Sequence, residues 1–156
     1  MLNFESWKNF SRLDHRLLLH ATAVRFQLKS LLLLGPSGSG KSKLAVDMIS
    51  LGATLISDDR VWLCIEDTRL CLEAPEQVSG KIEARGLGIL RMKSSVRGPV
   101  ELDYCLDLSL ESHARLPFMQ EVTKLGHKIL VLPGLPMVPS ASALMLLLKN
   151  GFSEDE

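Results

Sequence analysis

The stretch Gly35-Pro-Ser-Gly-Ser-Gly-Lys41-Ser42 follows an apolar run at residues 31–34 and precedes a helical pattern at residues 43–51. It matches the phosphate-binding P-loop pattern GxxxxGK[ST], and its place between a strand and a helix is the context that this pattern requires. Glycines let such a loop wrap backbone N–H groups around phosphate oxygens, and the helix start adds the positive end of its dipole. The stretch therefore predicts a nucleotide-phosphate site.

Each residue type in this loop has an expected task. Lys41 would reach the β- and γ-phosphates as a point charge, and the Ser42 hydroxyl would lie on Mg²⁺. The alternative is a glycine-rich turn that only joins two elements. The residues expected to bind the nucleotide are Gly35, Pro36, Ser37, Gly38, Ser39, Gly40, Lys41 and Ser42.

Two adjacent carboxylates follow the next predicted strand. The helix after the P-loop ends at Gly52, and a strand at residues 53–57 leads directly into Asp58-Asp59. Strand, loop, helix and strand form a βαβ unit, whose ligand lies at the carboxyl ends of its strands. Such carboxylates hold Mg²⁺ directly or through water, and one can accept a proton from an incoming hydroxyl. The alternative is an Asp-rich turn.

The composition is that of one globular domain. The chain has 156 residues, of which 46 % are hydrophobic and 23 % charged, and its 18 basic and 18 acidic residues cancel. This balance argues against nucleic acid as the main partner but leaves local basic patches open. Three cysteines without CxxC spacing fit buried thiols in a reducing cytoplasm, and no apolar run reaches the 18 residues of a membrane span. We expect a cytoplasmic protein with a single P-loop domain over residues 1–156.

Outside the P-loop region, periodicity predicts several further elements. Residues 1–14 have helical spacing and are expected to form a short packing helix, with a partner-binding face as the alternative. Residues 16–29 read as a strand pair with His20 in it or at its turn, where a histidine is more often structural than catalytic. The other predicted elements are a hairpin of 61–65 and 69–73, a helical turn at 76–79, strands at 100–109 and 129–132, and a helix at 140–150 capped by Ser140.

Three segments are predicted to be irregular. Residues 81–90 place Glu83 and Arg85 next to glycines, which favours a loop whose backbone approaches a ligand, although a solvated turn fits equally well. Residues 111–126 are polar and read as a loop. Pro133, Pro136 and Pro139 mark an irregular connector, and residues 151–156 form an acidic tail.

Taken together, these residues resemble the catalytic domain of HPr kinase/phosphorylase, in particular its short bacterial form without a separate N-terminal domain. The resemblance implies an α/β P-loop nucleotide-binding fold of the HPr kinase / PEP carboxykinase-like type, with a mixed β-sheet and few helices. It also implies transfer of the γ-phosphoryl group of ATP to a serine of HPr, the phosphocarrier of the phosphotransferase system, and a reverse reaction in which phosphate releases pyrophosphate. The matching features are His20-Ala-Thr, the P-loop, Ser57-Asp-Asp-Arg-Val61, Ala74-Pro75, Glu83-Ala-Arg-Gly-Leu-Gly-Ile89 and Arg115-Leu-Pro117.

The resemblance also implies roles for individual residues. Asp59 would accept the serine proton and return it, with Asp58 and His20 beside it. Arg115 would stabilise charge on the phosphoryl group. From the residues alone the choice between the two aspartates stays open, because adjacent carboxylates titrate as a coupled pair. The implied Mg²⁺ ligands are Ser42, Glu83 and Asp58, and the implied nucleotide contacts include Lys41 and Arg85.

The chain departs from the family pattern in two places, and two other functions stay open. Lys43 stands where the family usually has an acidic or small residue, and the segment 136–141 lacks the arginine that the family links to phosphorolysis. Homo-oligomerisation cannot be read from the sequence. The alternatives are a P-loop kinase acting on a small molecule and an ATP-sensing module without chemistry.

Overall fold

The structure, a computed structural model, describes residues 7, 9–13, 16–114 and 119–153. Two helices, α1 (Lys41–Ser50) and α2 (Ala141–Asn150), and a 3₁₀ turn at Glu76–Val78 accompany the strands of this part of the chain. The strands are β1 (Asn9–Leu13), β2 (Arg16–Leu19), β3 (Thr22–Phe26), β4 (Lys29–Leu34), β5 (Thr54–Ser57), β6 (Val61–Glu66), β7 (Arg69–Glu73), β8 (Lys81–Ala84), β9 (Gly88–Arg91), β10 (Val100–Glu101), β11 (Tyr104–Glu111), β12 (Gln120–Lys124) and β13 (His127–Leu135).

The strands form two large sheets and a small one. The outer sheet has the order β1-β2-β6-β7-β10, and the central sheet has the order β12-β13-β11-β4-β3-β5. Strands β8 and β9 make a separate antiparallel hairpin. In the central sheet β4, β11 and β13 run parallel, whereas β3 and β12 run against their neighbours. The central sheet is therefore mixed, as expected.

The central sheet is covered on both faces, which explains why β4 reads as a continuous apolar run. Leu32 and Leu34 pack with residues of the outer sheet in one core cluster. Leu31 and Leu33 lie in a second cluster with residues of both helices and with Ile82 of the hairpin. All four leucines are fully buried. The domain thus has three layers, with the strand that leads into the P-loop in the middle one.

Helix α2 closes the second core cluster. Ser140 is its N-cap, and the Ser140 Oγ accepts a hydrogen bond from the Ala143 N–H over 3.1 Å, which satisfies one free donor of the first turn. Leu144 and Leu148 are buried in the second cluster, while Leu147 is partly buried against it. The predicted cap is confirmed, and the structure shows that this helix packs on the central sheet. No helix in the described residues has the length and apolarity needed to cross a membrane.

Two predictions near the N-terminus are wrong. Within the segment 1–14, residues 9–13 form strand β1 rather than a helix, because they pair with β2 at the edge of the outer sheet; residues 1–6, 8 and 14 lie outside the described residues. Strands β2 and β3 do not pair, since the chain leaves the outer sheet at His20 and enters the central one. Short apolar spacing does not separate helix from strand, and sheet order is a non-local property.

Several elements later in the chain also differ from the predicted ones. The predicted βαβ unit has β3 between β4 and β5, so its two parallel strands are not neighbours. The predicted loop at 81–90 is the hairpin β8–β9, and residues 120–124 of the predicted loop form edge strand β12. Its polar residues suit an edge strand but hide the apolar alternation of a strand. Pro133 lies inside β13 rather than in an irregular connector.

A candidate phosphoryl-transfer site at the edge of the central sheet

The candidate site lies where β4 and β5 end and β3 begins. Strand β3 runs against both neighbours, so its first residue, Thr22, reaches the same edge as the P-loop and Asp58. The turn before β3 brings His20 to this edge as well. The sheet order therefore gathers residues from three separate parts of the chain.

The P-loop leads into α1 through a glycine with left-handed backbone. Gly40 is the N-cap of α1 with φ 101°, and no side chain caps this helix end. Gly35 is needed for close packing, because a Cβ there would lie 2.6 Å from Ser39 Oγ. The first-turn N–H groups of α1 therefore remain available to a ligand in the P-loop. Free N–H groups at a helix N-terminus are the arrangement that binds phosphate.

Lys41 is held by the loop itself. Its side chain is buried, and its Nζ donates to the Gly35 carbonyl over 2.6 Å and to the Pro36 carbonyl over 3.1 Å. Burial lowers the pKa of Lys41 from its ordinary value of 10.5, while the negative charges of Asp59, Asp58 and Asp107 oppose that shift. The ammonium group of Lys41 therefore lies within the loop that would bind a phosphate.

Asp58 is the hydrogen-bonding centre of the site. Its Oδ1 accepts from the Ser42 hydroxyl over 2.6 Å and from the Thr22 hydroxyl over 2.9 Å. Its Oδ2 accepts from the Glu83 backbone N–H over 3.0 Å, which ties the β8–β9 hairpin to the end of β5. Only 6 % of Asp58 is exposed. Both carboxylate oxygens are therefore engaged, and the group is fixed.

Asp59 has a different environment from its neighbour. Its side chain is 58 % exposed, and its Oδ1 lies 3.1 Å from His20 Nε2. Its backbone has φ 71°, a left-handed conformation that aspartate and asparagine adopt more readily than most residues. The Asp59 carboxylate is open to solvent, whereas that of Asp58 is buried. The structure thus separates two aspartates that the sequence could not distinguish.

A cleft of about 770 Å³ lies above these residues. It is large enough for a nucleotide and is bounded by the loop, α1 and the β8–β9 hairpin. Of the predicted site residues outside the cleft lining, Gly35 and Pro36 accept the hydrogen bonds of Lys41, Ser39 lies against Gly35, and Asp58 accepts from Ser42. The predicted site residues that line the cleft are His20, Ser37, Gly38, Gly40, Lys41, Ser42, Asp59, Glu83 and Arg85.

Arg115, which was predicted to stabilise charge on the phosphoryl group, lies outside the described residues.

Lys43, the residue that departs from the family pattern, lines the cleft and lies 3.5 Å from Asp47 one turn later on α1. Its added charge is therefore accompanied by a carboxylate. Among the described residues, no group of three or more His, Cys, Asp or Glu side chains lies close enough to hold a metal on its own. Any Mg²⁺ bound here would therefore need further oxygen ligands besides carboxylates, such as the Ser42 hydroxyl, phosphate or water.

Sequence reasoning missed two residues next to the site. Thr22 donates to Asp58, and only the placement of β3 between β4 and β5 explains that contact. Asp107 is fully buried on β11, opposite Leu34 in the parallel register. Its Oδ1 accepts from the N–H and hydroxyl of Ser109, whereas its Oδ2 has no partner in the described part of the chain. A charged residue between two leucines of a predicted strand was the available signal.

Comparison with known proteins identifies the family of this chain. A profile of the HPr Serine kinase C-terminal domain matches residues 11–111, which is more than half of the chain. The chain belongs to this family. The family was expected from the P-loop, the Asp58-Asp59 pair and the Glu83–Ile89 segment, and that expectation is confirmed.

Individual relatives agree with this assignment. The chain is 35 % identical over 103 residues to an HPr kinase/phosphorylase of a Thermoanaerobacter species, covering 62 % of this chain and 34 % of the relative. It is 28 % identical over 146 residues to the HPr kinase/phosphorylase of a Geobacillus species, covering 87 % of this chain and 47 % of the relative. The chain thus spans less than half the length of these curated relatives.

A solved structure supports the fold. The Hpr(Ser) kinase/phosphatase from Coxiella burnetii superposes with a TM-score of 0.72 and 22 % sequence identity, covering 85 % of this chain and 88 % of that chain. The mixed sheet with few helices is therefore the fold of the HPr kinase catalytic domain, as predicted.

Proposed function

We propose that this chain is an ATP-dependent protein-serine kinase that transfers the γ-phosphoryl group to a serine of an HPr-type phosphocarrier protein of the phosphotransferase system. The proposal rests on one observation above all. The Ser42 hydroxyl at the end of the P-loop and the carboxylate of Asp58 at the end of β5 lie 2.6 Å apart, with Asp59 opening into the same cleft. Phosphoryl transfer requires a phosphate nest, positive charge and a group that receives the acceptor's proton, and each has a candidate here.

Asp59 is our candidate for the base. It lines the cleft and is more than half exposed, so a serine hydroxyl can approach its carboxylate. Asp58 is a poorer candidate, because both of its oxygens already accept hydrogen bonds and it is buried. His20, 3.1 Å from Asp59, would orient that carboxylate and share the proton. In the reverse direction, Asp59 would return the proton to the serine oxygen.

The residues around Ser42 fit Mg²⁺. The Ser42 hydroxyl gives its only proton to Asp58, so its lone pairs are available to a cation. Mg²⁺ commonly takes one or two protein oxygens and completes its shell with phosphate and water. Ser42 and Glu83 would hold it directly, and Asp58 would act from behind Ser42 or through water. The metal would neutralise charge on the β- and γ-phosphates.

The cations of the cleft would bind the polyphosphate. Lys41 would leave the Gly35 and Pro36 carbonyls for the β- and γ-phosphates, and Arg85 on the hairpin would contact the nucleotide from the opposite wall. Arg115 is proposed, from the family resemblance alone, to stabilise charge on the transferred group. The exposure of Leu87 beside Arg85 leaves that wall open to a partner protein.

The acceptor is inferred from the relatives, and the cellular compartment is inferred from the cysteines. The curated relatives are named HPr kinase/phosphorylase, which makes HPr the acceptor to test first. Three free, buried cysteines in the described residues fit a reducing cytoplasm. A homo-oligomer is part of the proposal only by analogy with the family and needs its own measurement.

Phosphorolysis is a second candidate activity. The loop that would hold the phosphates of ATP can also hold inorganic phosphate, and the reverse reaction uses the same proton transfer through Asp59. Segment 136–141 lacks arginine, so we expect the reverse reaction to be slower than the kinase reaction. Incubation of phosphorylated HPr with inorganic phosphate, followed by measurement of released pyrophosphate, tests this.

The kinase proposal is tested with purified chain, HPr, Mg²⁺ and γ-labelled ATP. We expect label on a serine of HPr, and none with an HPr variant that lacks that serine. Nucleotide binding is measured in parallel. Label on a metabolite instead would support the small-molecule kinase, and binding without any transfer would support the ATP sensor.

A further inference from the structure

A second cavity, of about 290 Å³, lies at the base of the β8–β9 hairpin. Its walls carry four cationic side chains, Lys81, Arg91, Lys93 and Arg97. The catalytic cleft lies toward the other end of the same hairpin, and the residues that line the two spaces do not overlap. We call this space the hairpin-base cavity.

The charge of the hairpin-base cavity is one-sided. None of its lining residues is acidic, and none of the four cations lies within 4.0 Å of a carboxylate oxygen in the described part of the chain. Residues 79–97 contain five basic side chains and one acid, Glu83, which lines the other cleft. Because the whole chain has no net charge, this segment holds a local excess of positive charge.

The strand register places two of these charges directly opposite each other. Lys81 pairs with Arg91 across the antiparallel hairpin. Like charges directly opposite in a sheet destabilise it, and a bound anion between them would turn repulsion into attraction. The pair therefore weakens the free hairpin in a way that an anionic ligand would reverse.

The cavity is built on paired backbone rather than on a free loop. The Met92 N–H donates to the Gly80 carbonyl over 2.8 Å, which closes the hairpin base. The Val96 N–H donates to the Leu55 carbonyl over 2.9 Å, and Ser95 forms an isolated bridge with Leu55 on β5. The hydroxyls of Ser94 and Ser95 add neutral donors to the cationic wall.

We propose that the hairpin-base cavity binds a compact, multiply charged oxyanion of the phosphate class. Two arginines offer planar forks that match phosphate oxygens, and lysines and hydroxyls complete the donor set. A volume of about 290 Å³ suits one or two phosphate groups rather than a whole nucleotide. This site is independent of the proposed kinase activity, since it shares no residue with the cleft.

The test uses inorganic pyrophosphate as the probe and backbone amide NMR of the full chain as the readout. Amides of Gly80, Ser94 and Ser95 report this cavity, while those of Gly38 and Gly40 report the P-loop, so the two sites are scored separately. We expect saturable shifts at the first set. Sodium chloride at equal ionic strength is the control, because screening alone gives shifts that do not saturate.

Variants sharpen the test. Lys81→Glu replaces the opposed pair with an attractive one, so the hairpin should fold, which a circular dichroism melt checks. We expect Lys81→Glu to weaken pyrophosphate binding at this set of amides about tenfold or more, while P-loop amides respond as before. Lys128→Ala, an exposed cation 3.8 Å from Glu121, is the matched control and should change nothing. Shifts that match sodium chloride, or binding that Lys81→Glu leaves unchanged, would overturn the proposal.

Discussion

The Ser42 hydroxyl donates to the Asp58 carboxylate over 2.6 Å, joining the end of the P-loop to the end of β5. This contact links the part of the chain that would hold the phosphates to the part that would carry out proton transfer. Its geometry depends on β3 and β8, since Thr22 at the start of β3 and the Glu83 N–H on β8 hold Asp58 from the other sides.

Asp58→Asn should destabilise the fold and weaken Mg²⁺-dependent nucleotide binding. An amide offers one acceptor oxygen where three donors converge, so a buried donor loses its partner and the free energy of unfolding falls by about 2 kcal/mol. Urea denaturation measures the loss. Asp47→Asn is the matched control, because Asp47 lines the same cleft but is half exposed and forms an exposed ion pair with Lys43. Equal stability of the two variants would contradict this role for Asp58.

As the pH rises, phosphate binding should begin to weaken at a lower pH than it would with a lysine of ordinary pKa. Burial lowers the pKa of Lys41 below 10.5, so the folded protein loses this proton before the unfolded chain does. Burial of the charged Lys41 lowers the free energy of unfolding. This loss is fully present below the folded-state pKa and disappears as the pH rises from that value toward 10.5. Nucleotide affinity should fall in the same window, as a titration from pH 7 to 10.5 would show.

Lys41→Arg provides the control for that titration. A guanidinium keeps its charge throughout this range, so the affinity of the variant should stay flat with pH, whatever its absolute value. If the wild-type and variant profiles have the same shape, Lys41 is not the titrating group.

Lys81→Glu should raise thermal stability. The change converts the like-charge pair with Arg91 into an opposite-charge pair, which is worth about 0.5 kcal/mol across an exposed hairpin. The melting temperature should rise by about 1–2 °C for a chain of this size. Lys81→Gln, which removes the repulsion without adding attraction, should fall between the variant and wild type. A lower melting temperature for Lys81→Glu would show that the two side chains do not repel each other.

The thiols of the native protein should react slowly. Burial, and the charges of Cys71, Glu73 and Glu66, raise the pKa of Cys64 from 9.0 to about 11, and burial raises those of Cys71 and Cys105. At pH 8 the thiolate fraction of Cys64 is on the order of a hundredfold below that of an ordinary thiol. Iodoacetamide labelling followed by peptide mass spectrometry should show this, with rapid labelling of all three cysteines in denaturant. Rapid native labelling of Cys64 would show that the thiol is neither shielded nor protonated.

The sequence predicted the elements around the P-loop better than it predicted the sheets. The P-loop, the helix after it and the strand that ends at Asp58 are encoded in contiguous residues, so pattern and propensity locate them. The insertion of β3, the contact of Thr22 with Asp58 and the position of Asp107 depend on strand order, which contiguous residues do not encode. The hairpin of Lys81–Ala84 and Gly88–Arg91 is a local element, and it looked like a loop because its two short strands contain charged residues and glycine instead of a clear apolar alternation.

Asp59→Asn tests the central claim most directly, because asparagine tolerates the left-handed backbone of this position and leaves Asp58 in place. With ATP–Mg²⁺ saturating both proteins, we predict that transfer of phosphate to a serine of HPr falls about a hundredfold or more while ATP affinity stays within about twofold. Transfer at the wild-type rate by Asp59→Asn would contradict the account, as would wild-type protein that binds ATP and never phosphorylates HPr.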